Sequence, residues 1–213
     1  MKRITFWFDP ISPFAYLAFE QLPQTLEGLS VEVTYQPVLF AGLLKHWGQK
    51  GPAEIEPKRA WTFRHVQWLA HCQGSLLDTP AQHPFNPLAL LRLLLACAPE
   101  GGTPNRFACE AVLHHIWHGG ADANDPARLA ALATRLAPRT DPNGETIKQA
   151  LRTATERSVA LGLFGVPTVE VEGRLFWGLD SLPMLRAFLQ GDAWFDGLAW
   201  ACEGAPRVGV KRS

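Results

Sequence analysis

The stretch DPISPFAYLAFEQL, residues 9 to 22, follows the apolar, β-branched and aromatic run ITFWF and carries the residue with the clearest chemical reading, Ser12. Pro13 suits the first position of a helix, because its missing N–H has no intrahelical partner there and its φ is already helical. Ser12 is thereby placed at the N-cap. A serine oxygen in that position accepts a hydrogen bond from an amide that the first turn leaves unpaired. The same helix start also favours an anion, through its free amides and the positive end of the macrodipole, and a hydroxyl can donate to that anion as well. A thiolate would profit most. A free thiol of pKa about 8.5 is only ~3% ionised at pH 7, and lowering it to about 6.5 takes about 2.7 kcal/mol, within reach of a charge-assisted hydrogen bond plus helix-end electrostatics.

Such a thiol has to be brought in. Cys72, Cys97, Cys109 and Cys202 stand far apart, with neither C-x-x-C nor zinc-ligand spacing, and read as reduced, mostly packing thiols. HHIWH puts His114 and His118 four apart on one helical face, a spacing that can bind zinc. It lacks the glutamate of H-E-x-x-H and a third ligand close in sequence, so no metal is expected. Ser-His-Asp hydrolysis fares no better, because DPISPF is not a G-x-S-x-G elbow.

The elements that must position Ser12 follow from periodicity. ITFWF reads as a strand, residues 13 to 28 as a helix, and LSVEVTYQPVLF alternates Val31, Val33 and Tyr35 against Glu32, Thr34 and Gln36, a half-buried strand. Together they make a βαβ unit. From about residue 41 helical periodicity takes over in PKRAWTFRHVQWLAHCQG, NPLALLRLLLACA, PNRFACEAVLHHIWHG, DPARLAALATRLA and GETIKQALRTATERSVALG, separated by Gly, Pro and Asp. Then Thr168-Val169-Glu170-Val171, a tight Glu172-Gly173 turn and Arg174-Leu175-Phe176-Trp177 predict a hairpin. A last helix is predicted from Asp180, as an acidic N-cap, to Gly191. The economical architecture is an α/β fold: residues 1–40 and 160–191 form one mixed sheet domain, residues 41–159 a helical insertion, and residues 192–213 a tail with no assigned structure.

Composition sets outer bounds. The chain of 213 residues can bury a real core, and its 20 basic and 20 acidic side chains cancel without forming blocks. Nothing in that pattern suggests nucleic acid or an acidic membrane surface as a partner. No window reaches the roughly 18 unbroken apolar residues needed to span a bilayer, and MKRITFWFDP reads as no signal peptide, so a soluble, cytoplasmic protein is expected. The oligomeric state stays open, a homodimer included.

A βαβ unit followed by ββα, with a site turn after the first strand and Val-Pro before the third, resembles the thioredoxin fold. The turn that usually carries C-x-x-C holds Ser12 and Ala15 instead, in SPFA. The helical insertion places the chain near the DsbA-like branch, and FDPISPFAYLAFEQL, GQKGPAEIEPKRAW, HPFNPLALLR and GLFGVPTVEVEGRLFWGLDSL are similar to the 2-hydroxychromene-2-carboxylate isomerases and their relatives, the kappa-class glutathione transferases. That resemblance implies glutathione as the supplier of the thiol and a small aromatic keto acid as substrate. It implies a cis Pro167 that exposes the backbone of Val166 beside Ser12, where an extended peptide can pair. It further implies that Trp177, Gly178, Leu179 and Asp180 hold the γ-glutamyl end, with Asp180 either pairing the α-ammonium or acting only as a cap. Gln49 stands where relatives commonly carry Asn, and its longer amide offers the same donors and acceptor.

For the second substrate the same resemblance points to Asn86, whose other reading is a helix cap. Lys45, Trp47 and Lys50 lie in the expected loop after the second strand, where they either receive an aromatic anion or are solvated surface. Trp7, Phe14, Trp61 and Trp68 either wall an apolar pocket or belong to the core. The implied activity is a glutathione-dependent isomerisation through a Ser12-stabilised thiolate. The alternatives are a kappa-like transferase that keeps the adduct and a thioredoxin-like module that binds glutathione or peptide without catalysis.

Overall fold

The computed structural model describes residues 1–201 and residue 209. Lys2–Phe8 form β1, Pro13–Leu26 α1, Val31–Pro37 β2, Thr168–Val171 β3 and Arg174–Trp177 β4. The strand order is β2-β1-β3-β4. β1 runs parallel to β2, from Lys2 opposite Val31 to Phe8 opposite Pro37, and antiparallel to β3, with Phe6 opposite Val169. A parallel pair needs a crossover, which α1 supplies, whereas antiparallel β3 and β4 need only a two-residue turn. Glu172 and Gly173 make that turn with φ of 52° and 76°, the left-handed pair that matches the twist of the strands. This is the thioredoxin-like mixed sheet that the sequence predicts.

Alternation along β1 divides the interior. Ile4, Phe6 and Phe8 pack with Ala15, Phe19 and Leu22 of α1 and with Leu182, Leu185 and Phe188 of α8 (Leu182–Leu189). Trp7 points the other way, into a smaller cluster with Leu43, Leu163 and Val166. Between β2 and β3 lie α2 (Phe40–Trp47), α3 (Glu56–Gln73), α4 (Leu88–Ala96), α5 (Arg106–Trp117), α6 (Pro126–Leu136) and α7 (Glu145–Ala160). The nearly unbroken apolar run of α4 has a physical reason: Leu90, Leu93 and Leu94 join the main core while Leu91 and Leu95 pack with Ile147 and Leu151 of α7.

Two expectations are corrected. The stretch holding Lys45 and Trp47 is not a loop but α2, whose Gly48 closes it in the left-handed conformation. Asp180 does not cap the last helix: residues Leu179–Ser181 form a 3-10 turn, Pro183 sits in the first turn of α8, and Ser181 precedes that helix without a side-chain cap bond. In the tail, which the sequence left unassigned, Ala193–Asp196 form a 3-10 turn and Leu198–Ala201 a short α9, with Phe195 and Trp200 packed on Phe176. Cys202 and the rest of the basic terminus, residue 209 apart, lie outside the described residues. Among the described residues no helix is long and apolar enough to cross a membrane.

Candidate active site

Ser12 caps α1, its Oγ accepting the Ala15 N–H at 3.2 Å. The same oxygen donates to the carbonyl of Val166 at 3.4 Å, across the junction of β1–α1 with the loop before β3. The two uses do not compete, since the cap takes a lone pair and leaves the hydroxyl proton free to turn. A 3.4 Å bond is weak, so that proton is easily redirected to an anion at the helix start. The first turn of α1 carries no acidic residue to offset the positive helix end.

Asp9 is the residue that sequence reasoning missed. Its carboxyl is fully buried, with Oδ1 accepting the Ile11 N–H at 3.1 Å and Oδ2 the Phe40 N–H at 2.9 Å, and its backbone carbonyl accepts the Ser12 N–H at 3.0 Å. It therefore shapes the Ser12 turn and ties it to the start of α2. Burial raises its pKa to about 7, against the two backbone hydrogen bonds that favour the ionised form. An acid this ready to be neutral opposes a neighbouring anion less than an ordinary aspartate would. His83 was missed as well: its Nε2 bonds the Ile11 carbonyl at 2.9 Å, and burial lowers its pKa, so a neutral imidazole buttresses the same turn. The signal for both was weak in sequence, because each acts on a partner distant along the chain.

On the facing side the Val166–Pro167 peptide is cis. The Val166 N–H is paired with no backbone carbonyl among the described residues, while Pro167 O accepts the Gly178 N–H at 2.9 Å and joins this loop to the end of β4. Trp177 is 52% exposed and packs on Phe164 at 4.8 Å between ring centroids. Its indole lies over Gly165, where a Cβ would come within 2.5 Å of Trp177 Nε1. Gly178 takes a φ of 92°, turning the chain into the 3-10 segment that holds Leu179, which is buried, and Asp180, which is exposed. Ser12, Val166, Pro167, Trp177, Gly178, Leu179 and Asp180 thus share one continuous stretch of structure, with a turnable hydroxyl and, among the described residues, a Val166 N–H that no backbone carbonyl takes and an Asp180 carboxylate in no ion pair.

The remaining candidates stand further out. Gln49 and Lys50 are exposed beyond α2, and Trp47 is half-exposed with its Nε1 donating to Leu163 O at 2.8 Å. Lys45 is exposed on the α2 face turned toward α7. Asn86 is exposed, its Oδ1 accepting the Leu88 N–H at 3.1 Å just ahead of α4, whose N-cap position is held by Pro87 without a side-chain cap bond. Trp7 is core, and Phe14 is half-buried beside His65, but Trp61 and Trp68 are 60% and 61% exposed and belong to neither core nor pocket. Of the cysteines, Cys109 is buried on α5, Cys97 half-buried and Cys72 exposed on α3. His114 pairs with Glu20 at 3.1 Å and His118 with the Tyr16 hydroxyl at 2.9 Å, their rings stacked at 4.1 Å; Glu20, Glu110 and His114 bring ligand atoms within 4.8 Å of one another.

A four-stranded mixed sheet, a helix start facing a cis proline and a helical insertion define a thioredoxin-like protein. Residues 3–190 match the DSBA-like thioredoxin domain model, and the chain belongs to that family. It is 27% identical to 2-hydroxychromene-2-carboxylate isomerase of Sphingobium xenophagum, over 88% of this chain and 98% of that protein. It is 23% identical to glutathione S-transferase kappa 1 of Rattus norvegicus, over 91% of this chain and 92% of the relative. The structure of 2-hydroxychromene-2-carboxylate isomerase superposes with a TM-score of 0.77 at 20% identity, covering 93% of this chain and 98% of that one, a likeness of fold.

Proposed function

We propose that the protein is a glutathione-dependent isomerase of 2-hydroxychromene-2-carboxylate or a similar unsaturated aromatic keto acid. The observation that supports it best is the placement of Ser12 Oγ at the α1 N-terminus against Val166 O, where the thioredoxin-like fold usually presents a cysteine. The residues present fit glutathione: a cis proline preceded by an unpaired amide suits an extended peptide, and an exposed Asp180 carboxylate suits an ammonium group. When bound, glutathione supplies a nucleophilic thiol that adds reversibly to a conjugated double bond and so permits rotation about it.

The chain's own residues prepare that chemistry. Ser12 turns its hydroxyl proton from Val166 O toward the sulfur, and the positive end of the α1 dipole, with the Phe14 N–H, favours the thiolate over the thiol. Asp9 and His83 hold the turn in place, Asp9 as a carboxyl that burial keeps partly protonated near pH 7 and His83 as an uncharged ring. Trp177 covers the loop that carries Val166 and limits water there. The names of the relatives include both an isomerase and a glutathione transferase, and the fate of glutathione separates the two. Absorbance assays with 2-hydroxychromene-2-carboxylate and with benzylidenepyruvate, with and without glutathione, test the reading. The expected result is substrate conversion that requires glutathione and consumes none. Stoichiometric consumption would make the protein a transferase, and glutathione binding without turnover of either compound would count against an isomerase of this class.

A further inference from the structure

Side chains of α2, α4 and α7 line an open cavity of about 610 Å³, within the range that holds small organic ligands. Its floor is apolar, from Leu39, Leu88, Leu151 and Val159, and its rim carries Lys45, Arg92, Lys148 and Arg152 against one acid, Glu156. The walls are firmly joined. Leu39 N–H donates to Thr155 Oγ1 at 3.1 Å, and Thr155 Oγ1 donates to Leu151 O at 2.8 Å. Gly42 lets α2 approach α7 this closely, because a Cβ there would lie 2.8 Å from Thr155 Cγ2.

The charge of the rim is unbalanced in a chain whose 20 cations and 20 acids cancel overall. Among the described residues Lys45, Arg92 and Arg152 pair with no carboxylate, and Lys148 pairs only with Glu145, at 3.8 Å on its own helix. The Nε of Arg92 is buried with no hydrogen-bond partner among the described residues. The guanidinium of Arg92 nevertheless lines the cavity, and an incoming carboxylate that meets its Nη groups gains a charge-assisted bond. Inorganic anions would use the rim and leave the apolar floor wet.

We propose that this cavity binds an organic carboxylate with a flat apolar body. The carboxylate pairs with Arg92, flanked by Lys45 and Arg152, and the body lies on Leu39, Leu88, Leu151 and Val159. Ser12, Val166, Pro167 and Asp180 do not line the cavity, so the inference stands on its own and does not depend on the glutathione reading. Lys45 is the one residue it shares with the residues expected to meet a substrate.

Calorimetric titration of the full chain with 2-naphthoate, its neutral amide 2-naphthamide, and inorganic phosphate tests it. Naphthoate is expected to bind at least about tenfold more tightly than naphthamide or phosphate, the scale of one charge-assisted hydrogen bond. Arg152→Gln, at an exposed position of α7, is expected to weaken naphthoate by about tenfold, and Arg92→Gln by at least as much, with circular dichroism unchanged. If Arg92→Gln fails to fold, Arg152→Gln and the ligand series decide. Saturating glutathione is expected to leave naphthoate affinity within about twofold. Equal affinity for acid and amide, phosphate binding as tight as naphthoate, an unchanged Arg152→Gln, or displacement of naphthoate by glutathione would each overturn the proposal. Failure of the isomerase assay would touch none of these results.

Discussion

Asp9 and Phe40, 31 residues apart, are joined by a 2.9 Å hydrogen bond from the Phe40 N–H to Asp9 Oδ2, so one buried carboxyl couples the Ser12 turn to α2. Its pKa is raised to about 7 by burial, so the folded protein keeps a proton that the unfolded chain loses near pH 4. Stability contributed by that proton is complete below the unfolded pKa and is lost as the pH rises through about 7. Urea midpoints between pH 5 and pH 8 should therefore fall with rising pH in the wild type. They should do so less steeply in Asp9→Asn, which has nothing to ionise there. Asp9→Asn should also be less stable overall by about 1–3 kcal/mol, because its amide can accept only one of the two backbone bonds. Parallel pH curves for the two proteins would show that Asp9 ionises normally.

Ser12→Ala removes the cap acceptor and the turnable proton together. Loss of the cap should lower stability by about 1 kcal/mol, leaving the fold intact. Turnover with glutathione should drop by about one to three orders of magnitude, the scale of losing one preorganised donor to a developing anion. A variant that turns over at the wild-type rate would remove Ser12 from the mechanism.

How far the sequence reached can be seen residue by residue. The β3–β4 hairpin was legible to the residue, because alternation and a Glu-Gly turn are local signals, and so was the cap at Ser12, because Ser-Pro at a strand end is one too. Helix α2 was not. The stretch with Lys45, Trp47 and Lys50 was read as a loop, but Gly42 is a packing glycine under Thr155 and Gly48 ends the helix. Asp9 was passed over because its bond to Ile11, two residues on, is an ordinary turn contact that marks no site, while its bond to Phe40 lies across the fold and is invisible in a linear reading. Asp180 was mistaken for a cap because an acid before an apolar run is the usual signature, and Pro183 moves the helix start past it. Trp61 and Trp68 were expected to be buried on hydrophobicity alone, yet α3 turns both outward.

If the thiol is imported, the protein's own cysteines are dispensable. A variant carrying Cys72→Ser, Cys97→Ser, Cys109→Ala and Cys202→Ser should keep its glutathione-dependent activity. Ala suits position 109 because the thiol there is buried in the core, where burial also raises its pKa and keeps it protonated. Thermal melting first establishes that the variant folds. Loss of activity in a folded, monodisperse sample would show that a protein thiol takes part.

Gly165 has a steric reason to lack a side chain. In Gly165→Ala the new Cβ would meet the Trp177 indole, which must then lift from the loop bearing Val166. Trp177 is exposed, so the displacement should cost little stability. Glutathione affinity should nevertheless fall, because the same loop presents the Val166 amide. Calorimetric titration beside a urea melt checks both halves, and an unchanged affinity would separate the indole from the peptide groove.

Asp180 separates two readings of the turn after β4. Its carboxylate is exposed and makes no cap bond to the 3-10 turn or to α8, so Asp180→Asn should leave the melting temperature where it is. If the carboxylate pairs with the γ-glutamyl ammonium, the substitution removes a charge-assisted bond of roughly 1.5 to 3 kcal/mol, and glutathione should bind about ten- to a hundredfold more weakly. The loss should shrink as salt is added, since an exposed pair is screened. S-methylglutathione, which keeps the ammonium and lacks the thiol, should show the same loss and so place the contact at the γ-glutamyl end and away from Ser12. Equal affinities in wild type and Asp180→Asn would show that Asp180 does not pair with the γ-glutamyl ammonium and would remove the support for the orientation assigned to the tripeptide.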